Sequence, residues 1–199
     1  MYAQEQDRKE IKKEREDFIA FMPYIDASKL IVIDESGFCL NMLKTHGRCL
    51  KNERLKMPAP LYGKSISVIG AISLNKIIDI GMFEGSTNQY CVETFIKYCL
   101  LPSIKPGNIL LIDNAPVHNI DKINQELLKP LGAIALPLPR YSPDLSPIEM
   151  CWSKLKNIIR TLCPRSMSEL FVSLCTAINE INSGDLNGWY EHCGWSWAA

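Results

Sequence analysis

The order of apolar and polar residues predicts strands that are buried on both faces. Residues 30–33 form a short apolar run, rich in β-branched side chains, that ends at Asp34. A second compact apolar run lies within residues 107–118 and closes on Asp113. Such runs are typical of central strands in a sheet that is covered on both sides. Their common design makes the two strands candidates for parallel neighbours.

The remaining pattern predicts a hairpin, one more strand and a set of helices. Residues 65–73 and 76–85 predict an antiparallel hairpin, and residues 133–138 predict a short strand ended by prolines. Helical spacing of apolar residues covers 88–101, 117–129, 147–163 and 166–182, the last ending near Gly184. This order predicts an α/β fold, with a mixed sheet of an antiparallel hairpin plus parallel strands that is covered by helices.

The N-terminal segment differs in character from the rest of the chain. Residues 5–17 are mostly charged and of mixed sign, which predicts a solvated helix or a frayed arm. We therefore expect a charged arm or linker over residues 1–28. Residues 29–199 are expected to form one domain with helices at its C-terminal end.

Composition and charge narrow the classes of function. The chain has 199 residues, 47% of them hydrophobic, which suits one globular domain with a real core. Basic and acidic residues are balanced at 22 each, so binding to nucleic acid would depend on local basic patches. No apolar run approaches the length of a membrane span, and the N-terminus is too charged for a signal peptide. We expect a cytoplasmic protein without a membrane partner.

Cysteine and histidine spacing disfavours a zinc site. The eight cysteines are scattered without a CxxC pair, and the three histidines are far apart. Reduced, mostly buried thiols are expected instead. Irregular residues 37–64 carry a set of basic side chains, namely Lys44, Arg48, Lys51, Arg54, Lys56 and Lys64.

The predicted helix start near residue 147 leaves two interpretations of Glu149 open. Ser146 is followed by Pro147 and, three residues after the serine, by Glu149. A capping box with proline in the first turn has this pattern, and Glu149 would then only cap the helix. Alternatively, Glu149 acts in chemistry together with other carboxylates.

Asp34 and Asp113 are expected at one edge of the sheet, because ligands gather beyond the carboxyl ends of parallel strands. Neighbouring strands lie about 4.8 Å apart, and two carboxylates at this spacing repel unless a cation lies between them. Hard oxygen ligands without a Cys or His cluster favour magnesium or manganese. The alternative is that each aspartate only makes a turn at its strand end. With Glu149, three carboxylates could hold two ions about 3.5–4 Å apart for in-line displacement at phosphorus.

Three motifs occur in order along the chain: VIDESGF around Asp34, LLIDNAPVH around Asp113, and LPRYSPDLSPIEMCWSKLK around Glu149. Thirty-five residues lie between Asp113 and Glu149. Together these motifs resemble the DDE transposase domain of the mariner-like superfamily, in its bacterial insertion-sequence branch. The resemblance implies a ribonuclease H-like fold for the DDE catalytic domain over residues 29–199. It also implies a catalytic, metal-binding triad of the three acids with two Mg²⁺ or Mn²⁺ ions.

The resemblance further implies a function and partners. Such an enzyme nicks DNA at transposon ends and joins the freed 3′ hydroxyl to target DNA, acting as a homo-oligomer on the DNA. Family members carry N-terminal helix-turn-helix modules that recognise the transposon ends, whereas only a charged arm precedes the first strand here. We expect end recognition to come from a separately encoded helix-turn-helix partner or to be missing. The expected setting is a DNA-associated protein of the bacterial cytoplasm.

Other residues are candidates for supporting roles. Asn114 and His118 follow the second aspartate and are candidates for a second shell around the site. On a helix from residue 147, one stripe is apolar, and another aligns Lys156 and Arg160 with Glu149. The apolar stripe consists of Ile148, Trp152, Leu155, Ile159 and Leu162. The candidates for DNA contact are Lys156, Arg160, Lys154 and Arg48. Aromatic residues Tyr90, Tyr98, Trp189, Trp195 and Trp197 are expected to pack in the core.

Two rival functions stay open from the residues. The first is a nuclease on the same scaffold that cleaves nucleic acid without joining it to a target. The second is a non-catalytic DNA-binding or assembly relic, which the intact acids at positions 34, 113 and 149 argue against.

Overall fold

A central mixed sheet organises the chain. The structure, a computed structural model, describes residues 4–44, 46–54, 56, 58, 64–115 and 119–195. Within them, one sheet has the strand order β3-β2-β1-β4-β5. The strands are β1 (Leu30–Cys39), β2 (Ser65–Ser73), β3 (Ile77–Glu84), β4 (Ile109–Ile112) and β5 (Ile134–Pro137). β1 to β3 are antiparallel, whereas β4 and β5 run parallel to β1. The predicted hairpin and parallel strands are confirmed.

The register of β1 and β4 brings two acids side by side. Ile33 of β1 lies opposite Ile112 of β4, so Asp34 and Asp113 take the next position on each strand. The predicted parallel neighbours are therefore confirmed.

The prediction that β1 ends at Asp34 is wrong. β1 continues to Cys39 because β2 continues beside it, with Asp34 opposite Gly70. Asp34 thus lies in the middle of a paired strand, whereas Asp113 lies just beyond the end of β4.

Helices cover both faces of the sheet. The α-helices are α1 (Lys9–Phe21), α2 (Gln89–Phe95), α3 (Ile120–Lys122), α4 (Pro147–Leu162), α5 (Met167–Asn179) and α6 (Ser183–His192). π-helical turns Ile96–Leu100 and Ile123–Leu128 extend α2 and α3. Within the described residues, every helix is too short or too polar to span a bilayer.

Side chains of β1 alternate between two cores. Ile31 and Ile33 pack with α2 and its extension, whereas Leu30 and Val32 pack with α4, α5 and α6. This alternation is the period of two that any strand imposes. Asp34 continues the Leu30–Val32 side, so the strand directs its carboxylate towards α4.

The predicted helix over residues 166–182 is confirmed as α5, and a further helix, α6, follows it. α5 ends at Asn179, and a reciprocal capping box between Asn182 and Asp185 begins α6. Gly184, near which the predicted helix was expected to end, lies in the first turn of α6. The capping box therefore marks a helix start that the apolar spacing did not predict.

The charged N-terminal segment forms α1, which is docked on the domain. Ile11 is only 2% exposed, and the ring of Phe18 meets Trp195 edge-on with centroids 6.1 Å apart. Of the two predicted alternatives, a solvated helix or a frayed arm, the helix is confirmed. It also docks on the domain, because one side buries Ile11 while its charged side chains bind distant partners. Trp189 and Trp195 are buried as predicted, whereas Trp197 lies outside the described residues.

Burial departs from prediction at several other positions. All eight cysteines are free, but only Cys151 and Cys193 are buried. Leu162, at the end of the predicted apolar stripe, is 46% exposed where α4 leaves the core. Tyr90 and Tyr98, predicted to pack, are 75% and 67% exposed on the outer side of α2 and its extension.

The structure at the start of α4 shows whether Glu149 serves as a helix cap. Ser146 stands at the N-cap and Pro147 in the first turn, but the Ser146 side chain makes no capping hydrogen bond. The Ser146 backbone N–H already donates to the Pro143 carbonyl at 3.1 Å, so it needs no glutamate acceptor. The capping-box prediction is therefore wrong, and the Glu149 carboxylate is not used by the helix start.

Candidate active site

The three predicted acids line one cavity of about 410 Å³ at the carboxyl edge of the parallel strands. Asp34 comes from β1, Asp113 from the end of β4, and Glu149 from the first turn of α4. The rest of the wall consists of Ile33, Asn114, Leu138, Arg140, Tyr141, Ser142, Pro143 and Ser146. Residues far apart in sequence thus converge, because β1, the end of β4 and the start of α4 meet at this edge.

Asp34 is the innermost of the three carboxylates and is held by a hydrogen bond. The Trp152 indole Nε1–H donates to Asp34 Oδ2 at 2.9 Å. Burial, followed by the charge of Glu149, raises the pKa of Asp34 from 3.8 to about 7. The hydrogen bonds from the Glu35 backbone and from Trp152 oppose this rise. Asp34 is therefore an acid whose charge the protein alone does not fully stabilise.

Trp152 reaches Asp34 because β2 leaves room for its ring. A Cβ atom at Gly70 would lie 2.5 Å from the Trp152 ring carbon Cη2, so only glycine fits at that position. On another side, the Phe38 ring meets Trp152 edge-on with centroids 6.2 Å apart. These contacts fix the indole, and with it one oxygen of Asp34.

Glu149 interacts electrostatically with both aspartates. Desolvation raises the pKa of Glu149, the Lys156 ammonium opposes this rise, and the charge of Asp113 adds to it. Glu149 in turn raises the pKa of Asp34. Repulsion therefore links the three carboxylates across the cavity, with Glu149 as the common partner.

This donor set fits a hard divalent cation. The ligands offered are carboxylate oxygens, which suit magnesium or manganese, and a cation would relieve their mutual repulsion. Among the residues that the structure describes, no three His, Cys, Asp or Glu side chains are close enough to form a ready-made metal cage. The strands thus bring the acids into one cavity, while the final ligand distances would be set when a cation binds.

Residues 29–170 match the family described as DDE superfamily endonuclease. The chain belongs to this superfamily. The resemblance inferred from the three motifs is thereby confirmed at the level of the family. Its bacterial branch stays a prediction.

Solved structures share the fold of this DDE domain at low sequence identity. The Mos1 transposase in its paired-end complex with the left transposon end is 15% identical with a TM-score of 0.73, covering 97% of this chain and 60% of that chain. The Mos1 mariner paired-end complex with Mn is 14% identical with a TM-score of 0.74, covering 98% and 62%. The catalytic domain of Mos1 mariner transposase is 15% identical with a TM-score of 0.68, covering 98% and 92%.

These comparisons show the fold and the extent of the likeness. The predicted ribonuclease H-like fold is confirmed by the similarity to the Mos1 catalytic domain. The DDE domain spans about 60% of the Mos1 chain in the paired-end complex with the left transposon end. A search of curated proteins finds no significant match.

The other predicted site residues of the DDE domain are spread around this cavity. Asn114 lines the cavity, whereas His118 lies outside the described residues. Lys156 is close enough to act on Glu149, and its Nζ also lies 5.7 Å from the Phe38 ring centroid. Arg48 is exposed in the irregular segment after β1, away from the cavity lining.

A second groove of about 550 Å³ lies on the other side of Glu149. Arg160, from the stripe predicted to follow Glu149, lines this groove together with Ser153 and Asn157 of α4. Lys154 also lines this groove, but its Nζ pairs with Asp185 at 2.5 Å and donates to the Glu180 carbonyl. Its charge therefore joins α4 to α6, a role that the sequence pattern did not predict.

Sequence reasoning missed the rim of the cavity, which we define as residues 140–144. The Arg15 guanidinium donates to both Asp144 oxygens, at 3.0 and 2.7 Å, and to Ser142 Oγ at 2.6 Å. Glu14 accepts from Arg140 Nε at 3.1 Å. The charge pattern of α1 was the one available signal, but it did not identify partners about 130 residues away.

Proposed function

We propose that this DDE domain is the catalytic domain of a transposase that cleaves DNA at transposon ends and transfers the 3′ hydroxyl strand into target DNA. The convergence of Asp34, Asp113 and Glu149 in one cavity of a ribonuclease H-like domain is the observation that supports this most. The similar Mos1 structures include a paired-end complex with a transposon end and a strand transfer complex.

Asp34, Asp113 and Glu149 would hold divalent metal, with Mg²⁺ or Mn²⁺ and two ions expected. Structures of the Mos1 catalytic domain and its complexes were solved with Mg and with Mn. Such ions supply charge stabilisation at phosphorus and an activated water or sugar hydroxyl. The protein's own contribution is to orient the ligands: the Trp152 N–H donates to Asp34 Oδ2 and so holds that carboxylate in the cavity.

DNA is the proposed substrate, and α4 provides a path for it. Lys156 and Arg160 follow Glu149 along the helix, and Arg160 lines the groove that adjoins the cavity at Glu149. Both are cations that contact phosphates without reading sequence. Arg48 would add a more distant, exposed contact.

End recognition and assembly complete the proposal. We propose a separately encoded helix-turn-helix partner for the transposon ends and a homo-oligomer on DNA, in the bacterial cytoplasm. Weak, sequence-tolerant DNA binding by this chain alone, with a steep loss of affinity in salt, is the expected behaviour.

A cleavage and joining assay tests the proposal. The protein is incubated with Mg²⁺, a labelled duplex carrying the inverted repeat that flanks its coding frame, and a target plasmid, with Asp113→Asn as the inactive control. Nicked and joined products that require Asp113 support the transposase. Cleavage without joining would support a plain nuclease, and neither product, with or without a helix-turn-helix partner, would support a relic.

A further inference from the structure

Arg140 stands at the mouth of the acidic cavity and was not among the predicted DNA contacts. It follows β5 by three residues and lines the cavity with the three carboxylates. Its side chain is 50% exposed. Among the described residues, its one ion pair is with Glu14 of α1, on the outer side of the rim.

The Glu14 pair holds Arg140 without using up its guanidinium. Glu14 Oε2 accepts from Arg140 Nε at 3.1 Å, and Oε1 accepts from the Arg140 backbone N–H at 3.4 Å. Within the described part of the chain, the two terminal Nη groups of Arg140 make no hydrogen bond. Arg15, on the same helix, differs because its terminal groups are bonded to Asp144 and Ser142. Arg15 is thus internally satisfied, whereas Arg140 keeps two terminal donor groups that bond to none of the described residues.

The backbone around Arg140 is also fixed in place. Ser142 Oγ donates to the Arg140 carbonyl at 3.1 Å, and Gln6 Nε2 donates to the Tyr141 carbonyl. Tyr141 has a φ of 57°, in the left-handed region that non-glycine residues rarely adopt. Such a conformation persists when its surroundings enforce it, which here are the hydrogen bonds from Gln6 and from Glu14 and Arg15 of α1. The backbone at Arg140 is therefore held in place, and the Glu14 pair anchors its side chain at Nε.

A phosphate is the ligand that this arrangement suits. The cavity itself carries three acids, which repel a polyanion approaching without metal. A planar guanidinium with two free amino groups binds phosphate oxygens through two parallel hydrogen bonds. We infer that Arg140 binds a phosphate of the DNA substrate at the mouth of the cavity, and that Glu14 is the positioning residue that holds it there. This inference rests on the proposed function.

Matched substitutions test the role of Arg140. Arg140→Gln is compared with Lys13→Gln, which removes one exposed cation from α1 without touching the rim. We expect Arg140→Gln to weaken binding of a labelled DNA duplex about tenfold. The slope of log affinity against log salt should fall by about one. Arg140→Lys, which keeps the charge but loses the fork, should keep the salt slope and recover only part of the affinity.

Metal-dependent thermal stabilisation provides a second measurement that does not depend on activity. It should be the same for Arg140→Gln as for wild type, because Arg140 is not expected to bind the metal. If the wild-type protein cleaves DNA but Arg140→Gln binds DNA as tightly as Lys13→Gln does, the role of Arg140 is wrong while the proposed function stands. Wild-type protein that neither binds nor cleaves DNA overturns the proposed function as well.

Glu14 is tested as a positioning residue by comparing Glu14→Ala with Glu16→Ala, in an exposed neighbour on α1, and with the conservative Glu14→Gln. Gln at position 14 can still accept from Arg140 Nε but lacks the charge, so it should rescue most of the affinity lost in Glu14→Ala. The loss in Glu14→Ala should appear in KM for DNA, about threefold, with kcat unchanged. Equal KM in Glu14→Ala and Glu16→Ala would show that Glu14 does not position Arg140.

Discussion

α4 forms one wall of the cavity, whereas α1 supports its rim, and the two helices make these contacts through different interactions. α4 inserts Trp152 into the core, where the ring packs on Gly70 and Phe38 and its N–H reaches Asp34. At the rim, α1 is held through ion pairs and hydrogen bonds on side chains that stay partly exposed. Apolar burial is insensitive to salt, whereas partly exposed charge pairs are screened. The site therefore has a rigid wall on the α4 side and a rim whose support by α1 weakens with salt.

The largest expected effect is on the α4 side, in Glu149→Gln. Because Ser146 and Glu149 form no capping box, the substitution should leave the helix start intact. Losing one anionic ligand should reduce cleavage at least about a hundredfold. Unfolding in metal-free buffer should be unchanged or require a higher temperature, since repulsion with both aspartates is relieved. Cleavage near the wild-type rate, with Glu191→Gln as control, would contradict a ligand role.

The second largest effect should be the pH dependence of the stability of the metal-free protein, because Asp34 lies in the rigid wall. The pKa of Asp34 is about 7 in the folded state, above its ordinary 3.8, so the folded protein binds this proton more tightly than the unfolded chain. That contribution is complete below about pH 4 and is lost as pH rises through 7. Thermal melts in chelator should therefore fall over this range, and Mg²⁺ should restore stability above pH 7. A melt of Asp34→Asn as pH-dependent as wild type would show that other groups cause the change.

Trp152→Phe tests the packing of the indole through stability and its hydrogen bond to Asp34 through the response to metal. The smaller ring leaves a gap and removes the donor to Asp34, so the free energy of unfolding should fall by about 2 kcal/mol. The Mg²⁺ concentration for half-maximal stabilisation should rise severalfold, since Asp34 is no longer oriented. Trp189→Phe, in a buried tryptophan of α6 that does not contact Asp34, should lose stability without this change in metal response. An unchanged metal response in Trp152→Phe would show that Trp152 does not orient Asp34 for the metal.

The α1 side should give a smaller effect that salt abolishes. In a double-mutant cycle of Arg15→Ala and Asp144→Ala, urea unfolding should give a coupling of about 0.5–1 kcal/mol, because Asp144 is 54% exposed. The coupling should shrink towards zero in 1 M salt, whereas the effect of Trp152→Phe should not. Salt-independent coupling would mean that α1 and α4 are attached alike.

Ser146→Ala should have the smallest effect. The Ser146 hydroxyl is buried but makes no capping hydrogen bond, so the change in unfolding free energy should stay within about 0.5 kcal/mol. A loss near 1 kcal/mol, measured by urea unfolding, would indicate that the hydroxyl caps α4 in solution.

The residues that sequence predicted well are those whose signal is local. Two apolar runs of the same design, each followed by aspartate, predicted the parallel pair that places Asp34 beside Asp113. The apolar stripe of α4 predicted the burial of Ile148 and Trp152. Period and composition within one element carry this information, because they reflect which face of the element is buried.

The features that sequence reasoning missed depend on partners far away in the chain. Nothing near Arg15 indicates that it binds Asp144, and nothing near Trp152 indicates that its N–H finds Asp34. At Ser146, the local pattern was misleading, because a preceding turn had already satisfied the backbone donor that a capping glutamate would serve. Local rules fail where tertiary neighbours supply the hydrogen bonds first.

The contact between Gly70 and Trp152 constrains how the sequence of this protein can drift. Any side chain at position 70 would occupy the space of the indole ring, so a larger residue there requires a smaller one at position 152. A smaller residue at 152 would in turn leave Asp34 without its N–H donor. The two positions should therefore change together or not at all, and an alignment of active relatives should show glycine wherever tryptophan is kept.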